Sequence, residues 1–201
     1  MEFKLEDRIG EGRYRDVYRV DRTTCAKVIK KGQKKKIGNF EFECPTWVDL
    51  MLKMIPGDFN QREFKNYQKL MALLPEEIKQ YFGKIYRVES DANYSVAICE
   101  LITDFDGNPS LALRDFGKVE DPRFWKAIEI VIGELSSRRI PYFFGKGSEN
   151  VVVKRNRDCS MPVFIDYKWF GMTPFQPWIY LPGKIEERLE KRLERFNEYR
   201  G

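Results

Sequence analysis

Ile9-Gly10-Glu11-Gly12-Arg13-Tyr14-Arg15-Asp16-Val17-Tyr18-Arg19-Val20, followed by Cys25-Ala26-Lys27-Val28-Ile29, is the stretch on which the fold turns. Residues 3–9 and 16–30 read as strands, the second interrupted by Asp21–Thr24, so Gly10-Glu11-Gly12 is expected as a turn between them. Glycine there lets backbone amides approach a phosphate without a side-chain clash, although an ordinary hairpin turn has the same composition. Lys27, flanked by apolar residues in a strand, would aim its ammonium at one face. Burial there is costly unless an anion meets it. A phosphate plus a carboxylate would do so, and Glu63 on the next helix is the candidate carboxylate. Its alternative is a solvated helix glutamate.

Working outward, residues 30–36 carry lysines at 30, 31, 34, 35 and 36. The run reads as solvated surface, with a phosphate- or membrane-facing patch as the alternative. Residues 46–55 suit a short helix ended by Pro56-Gly57. A longer helix from about 61 to 74 is opened by Asp58 or Asn60 and stopped by Pro75, with Phe64, Tyr67, Leu70, Met71 and Leu74 on one face. Residues 84–89 and 94–102 alternate as a strand pair. After the turn-rich Asp104–Pro109, helical periodicity is expected at 110–116 and 122–138. Val151–Lys154 and Val163–Asp166 read as two short strands, and 184–199 as an amphipathic helix with the stripe Ile185, Leu189, Leu193 and Phe196. That helix is expected to pack within the chain; a dimer seam is the alternative.

Composition bounds the function. The 201 residues are 42% hydrophobic and 33% charged, as in ordinary globular chains. The net charge of +5 suits a polyanionic ligand such as a nucleotide but is too small to argue for DNA or RNA. There is no histidine, and Cys25, Cys44, Cys99 and Cys159 form no CxxC pair. A Cys/His zinc site and any Ser–His or Cys–His dyad are thereby excluded. The cysteines look reduced, no leader or membrane span is apparent, and a cytoplasmic location is expected.

A second constellation is Asn150 and Asp166, at the entering and leaving ends of the two short strands. A hairpin brings such ends together, and an amide oxygen with a carboxylate offers the hard donors that Mg²⁺ takes alongside phosphate oxygens. Taken alone, the pair reads equally as a loop end and a turn cap.

With these residues in order, the chain resembles a reduced protein kinase and is similar to the bacterial YrbL family, named for the PhoP regulatory network. Ile102-Thr103-Asp104-Phe105-Asp106-Gly107-Asn108-Pro109-Ser110 resembles that family's DFDGxPS segment, and Gln61–Tyr67 its corresponding helix. The similarity thinly covers most of 8–170. It implies an α+β, two-lobed protein-kinase-like fold: an antiparallel-sheet lobe over 1–103 and a reduced, mostly helical lobe over 104–201. It further implies that Gly10, Gly12 and Val17 cover ATP, that Lys27 touches its α/β-phosphates, and that Glu63 pairs with Lys27. Glu100–Ile102 would meet adenine, Asp104 or Asp106 the ribose, and Asn150 with Asp166 would hold Mg²⁺.

The chain departs from that pattern. Arg15 stands where the third loop glycine belongs, and Tyr167-Lys168 replaces Phe-Gly after the metal aspartate. Gly145 occupies the catalytic aspartate's position, so Glu149 is the sole acid in 142–149 and the candidate base. Residues 167–201 contain no APE segment. General-base help is typically about 10²–10⁴-fold. The expectation is therefore an atypical ATP–Mg²⁺ phosphotransferase acting on a protein or on itself. The alternative is a pseudokinase, a nucleotide-binding regulatory module. Nucleotidyl transfer, hinted at by Arg15, and nucleic-acid binding through the lysine run have less support.

Overall fold

The computed structural model describes residues 5–11, 15–29, 35–37, 40–42, 59–90, 95–144, 147–167, 170 and 181–201. The expected helix at 46–55, Gly12, Gly145, Lys168 and most of the lysine run lie outside them. A short 3-10 turn at Leu5–Asp7 leads into β1 (Arg8–Glu11), β2 (Arg15–Arg19) and β3 (Thr24–Ile29). Then come β4 (Lys35–Ile37), β5 (Phe40–Phe42), α1 (Phe59–Leu73) and the one-turn α2 (Glu76–Lys79). β6 (Ile85–Ser90) and β7 (Ser95–Glu100) follow, then β8 (Leu111–Ala112), the short α3 (Leu113–Phe116) and α4 (Pro122–Ser137). β9 (Val151–Arg155), β10 (Ser160–Phe164) and α5 (Lys184–Phe196) complete the order.

The fold mixes helices with antiparallel sheets. The main sheet has five strands in the order β1-β2-β3-β7-β6, and a second has three, β10-β9-β8; β4 and β5 form a separate pair. The β2–β3 turn falls where Asp21 predicts it, because the Asp21 carboxylate accepts from the amides of Thr23 and Thr24 at 2.7 and 2.9 Å.

One expectation is corrected here. Gly10 and Glu11 are not in a turn: they are β1 residues paired with Val17 and Asp16 of β2. The β1–β2 ladder runs from Arg8 to Glu11 with an irregularity between Arg8 and Gly10, which keeps Gly10 and Glu11 in strand. Residues 5–7, read as strand, form the 3-10 turn instead.

Register sets the faces of the sheet. Val17 lies opposite Lys27, Lys27 opposite Ala97, and Cys25 opposite Cys99. With the two-residue side-chain period, Arg15, Val17, Cys25, Lys27, Ala97 and Cys99 share the face on which α1 packs. Ala26, Val96 and Ile98 form a small cluster on the other face. Buried on both sides, β7 reads as a continuous apolar run, Val96-Ala97-Ile98-Cys99.

The larger core runs without a break from Cys25 and Ala97 on the main sheet, through Leu70, Phe82, Phe124, Tyr142, Phe164 and Tyr167, to Ile185, Leu189 and Phe196 of α5. The stripe of α5 therefore packs inside the chain. Asp121 caps α4 by accepting from the Arg123 amide at 2.9 Å, with Pro122 at the first helical position. No helix among the described residues is long and apolar enough to cross a membrane.

Candidate functional site

The polar residues of α1 come at spacing three: Asn60, Glu63 and Asn66, all buried. Three residues is nearly one helical turn, so they form a polar stripe turned toward the main sheet, beside the apolar stripe read from sequence. Each member finds a partner. The Asn60 amide donates to Lys27 O at 3.1 Å and to Ser95 Oγ at 3.2 Å. Asn66 Nδ2 donates to Tyr167 O at 2.9 Å.

Glu63, with no exposed surface, sits between two cations. Lys27 Nζ lies 2.8 Å from Glu63 Oε1, and Arg15 Nη1 donates to Glu63 Oε2. Arg15 Nη1 also lies 3.0 Å from Asn60 Oδ1, and the Tyr167 amide donates to Glu63 Oε1 at 3.4 Å. Burial, the largest single effect, pulls Lys27 and Arg15 down, but Glu63 together with Cys99 and Asp166 outweighs it, and both stay above their ordinary values. Asp166 pushes both in the same direction, so its carboxylate acts on the same site.

Asp166 itself lies two residues past β10 with φ of +71°, a left-handed conformation uncommon for any residue but glycine. Its neighbours hold it there. The Tyr142 hydroxyl lies 3.2 Å from Ile165 O and 3.3 Å from Asp166 O, and Tyr167 packs its ring on Tyr67 and Tyr142 with centroids 5.2 and 5.8 Å away. Asn150 ends the 3-10 turn Ser148–Asn150 just before β9. Its Nδ2 donates to Phe144 O at 3.0 Å, and its carbonyl accepts from the Ile165 amide at 2.9 Å. One backbone bond therefore joins the Asn150 end of the hairpin to the residue before Asp166.

The other predicted site residues lie as follows. Gly10 and Val17 form a cross-strand pair at the edge of the main sheet. Glu100 ends β7; its carboxylate accepts from the Lys84 amide at 3.1 Å and its carbonyl from the Cys25 thiol at 3.5 Å. Ile102 packs with Val152, Val163 and Ile165 in an apolar cluster of its own. Asp104 is buried and tied to β9, accepting from the Arg155 amide at 2.9 Å and from Arg155 Nε at 2.5 Å. Asp106, exposed, accepts from the Asn108 amide at 3.0 Å, and its oxygen lies 3.6 Å from Arg155 Nη2. Glu149 is held by Arg114 at 3.0 Å, an ion pair on the outer side of its turn.

Lys27 and Glu63 are thus in contact and Asp166 acts electrostatically on the same cluster, whereas Asp104, Asp106 and Glu149 are each held by an arginine. Arg15 as a second partner of Glu63 goes beyond the sequence reading, which saw in it a missing loop glycine and a hint of nucleotidyl transfer. The spacing of Asn60, Glu63 and Asn66 was the available signal for a buried polar stripe.

Among the described residues no group of three or more His, Cys, Asp or Glu side chains is gathered around a common point. A cation bound here would take its protein ligands from Asp166 and the Asn150 amide oxygen and the rest from its substrate. Hard oxygen donors of this kind fit Mg²⁺. Compared with known proteins, the chain matches no family model and no curated protein.

Proposed function

We propose that this chain is a kinase-like protein that binds ATP with Mg²⁺ in the cleft bounded by β1–β3, α1 and the Asn150/Asp166 hairpin, and transfers the γ-phosphoryl group to a protein hydroxyl. The two-lobed division at about residue 103 and the likeness to the YrbL family belong to the same proposal.

The observation that carries it is the Lys27–Glu63 pair at 2.8 Å, part-buried with its carboxylate fully enclosed. A strand lysine taken out of water and oriented by a helix carboxylate is a preorganised phosphate ligand. Arg15 adds a planar guanidinium beside it, suited to bidentate contact with phosphate oxygens. Asp166 and Asn150 would hold the metal, which when bound neutralises charge on the phosphates. Positioning and charge stabilisation supply most of the catalysis in phosphoryl transfer. The free, buried thiols of Cys25 and Cys99 support a reducing, cytoplasmic setting.

A second reading, a nucleotide-binding regulatory module without transfer, is favoured by one observation: Glu149, the candidate base, is already engaged by Arg114. Thermal melts with ATP–Mg²⁺ test binding. An excess of about 100 times Kd should stabilise the wild type by about 2.7 kcal/mol. Lys27→Ala and Asp166→Ala should show no shift. No shift in the wild type overturns both readings. Transfer from γ-labelled ATP, absent in the Lys27→Ala protein, separates the first reading from the second, and α-labelled ATP separates nucleotidyl transfer from both.

A further inference from the structure

Lys27 and Arg15 share Glu63 but leave different rungs of the main sheet. Along β3, Cys25 pairs with Cys99, Lys27 with Val17 and Ala97, and Ile29 with Arg15. Arg15 is thus rooted one two-residue step, ~7 Å, beyond Lys27 on the side away from the Cys25–Cys99 pair and Glu100. The charges nearby repeat this order. On Arg15 the Asp166 carboxylate weighs more than the Cys99 thiol, and on Lys27 it weighs less. Across the site the groups therefore follow one another as Cys99, Lys27, Arg15 and Asp166.

Arg15 also has donors to spare. Its hydrogen bonds, to Asn60 Oδ1 and Glu63 Oε2, both leave from Nη1. Among the described residues Nε and Nη2 make none, and these two form one edge of the guanidinium, the edge that can meet two phosphate oxygens in parallel. The cations are also the reachable members of the cluster. Glu63 is fully enclosed, whereas the side chains of Lys27 and Arg15 keep 14% and 8% of their surface exposed. Two positive charges face one Glu63 carboxylate. With Asp166 committed to a metal, the cluster holds one positive charge over, which is costly in a buried place unless an anion meets it.

We propose that Arg15 is a specificity-determining residue: it holds the terminal phosphate of the nucleotide and makes the site select a triphosphate over a diphosphate. The inference rests on the reading given under Proposed function. With the base toward Glu100–Ile102 and the metal at Asp166 and Asn150, Lys27 meets the inner phosphates and Arg15 the outermost. A diphosphate ends short of Arg15 and leaves it on Glu63 and Asn60. A triphosphate reaches its open edge.

The test is isothermal titration calorimetry of the full chain with Mg²⁺, using ADP and the β,γ-imido analogue of ATP, which resists transfer. Wild type should bind the triphosphate tighter than the diphosphate by about tenfold or more, as expected for a charge-assisted contact that only one of them makes. Arg15→Gln should remove about that factor from the triphosphate and leave ADP within about twofold. Lys65→Gln, the same loss of charge on the exposed side of α1, should leave the preference intact. Arg15→Lys keeps a cation beside Glu63, and with it the fold, but lacks the paired edge; its preference should fall to about threefold.

Equal binding of the two nucleotides by wild type would overturn the proposal without any variant. So would an unchanged preference in both Arg15 variants; if they also melt lower, Arg15 only braces β2 against α1. Equal loss of ADP and triphosphate in Arg15→Gln would place Arg15 on an inner phosphate and overturn it as well. Binding of neither nucleotide removes the reading under Proposed function and this inference with it. Binding of both without preference leaves that reading standing and removes only the role of Arg15.

Discussion

Glu63 pairs with two cations at once, so the three charges are not interchangeable under mutation. Glu63→Gln leaves Arg15 buried and Lys27 half-buried beside a neutral amide and should destabilise the protein by about 3–5 kcal/mol, the range for breaking a buried ion pair. Lys27→Met should cost clearly less, because Arg15 still balances the carboxylate. Urea unfolding of the two variants measures this; equal losses would mean that Arg15 does not compensate. Asp166 allows a different separation, of backbone from charge. At φ of +71° an asparagine is tolerated and a leucine is not. Asp166→Leu should be less stable than Asp166→Asn by about 1–2 kcal/mol, while both lose the Mg²⁺-dependent part of the ATP shift. A leucine variant as stable as the asparagine variant would mean that the backbone relaxes freely.

At the scale of elements, α4 depends on its cap. Asp121 accepts from the Arg123 amide at its own helix end and, at 2.7 Å, from the Ser160 amide that opens β10, so one carboxylate ties the helix to the second sheet. Bonding to Arg123 outweighs burial and lowers its carboxyl from 3.8 to about 2. A depressed acid contributes stability that is present above its unfolded value and lost as the pH falls through the folded one. The stability gap between wild type and Asp121→Asn should therefore be full above about pH 4 and close toward about pH 2. Asp121→Ala, which also deletes the cap, should cost about 1 kcal/mol near neutrality. Chemical denaturation across that pH range reports both; a gap that persists at the acid end would contradict the assignment of the depressed carboxyl. The elements were legible where the local rules are strong. Asp121-Pro122 and the Phe124–Leu135 periodicity mark α4, whereas β7, buried on both sides, is marked by its continuous apolar run. Gly10 misled because glycine is also allowed within a strand, and its pairing with Val17 is decided by register with β2.

For the molecule as a whole, the continuous core makes a prediction about cooperativity. The chain brings the main sheet, α1 and the β9–β10 hairpin together at Tyr167. Its ring packs on Tyr67, its carbonyl accepts from Asn66, and its hydroxyl lies 2.6 Å from Gly83 O and 3.1 Å from Phe164 O. Unfolding followed by far-ultraviolet circular dichroism and by aromatic fluorescence should give coincident transitions. Tyr167→Ala should cost about 3–5 kcal/mol, in the range for deleting a buried aromatic ring. Two separated transitions in the wild type would show that the halves fold independently and that Tyr167 does not couple them.

Taken by itself, the sequence determined most element types, though not those of residues 5–7, 10–11 and 111–112, the absence of histidine chemistry, and Glu63 as the candidate partner of a strand lysine. Those follow from composition, from periods of two and 3.6 residues, and from the cost of burying an unpaired ammonium. Only the tertiary structure decided that Arg15 shares Glu63 with Lys27, that Asp104, Asp106 and Glu149 are each held by an arginine, and that Asp166 sits in a left-handed turn beside the cluster. The physical reason is distance along the chain. Strand register, helix rotation and hairpin closure bring together residues 15, 27, 63 and 166, and no local spacing rule spans such gaps.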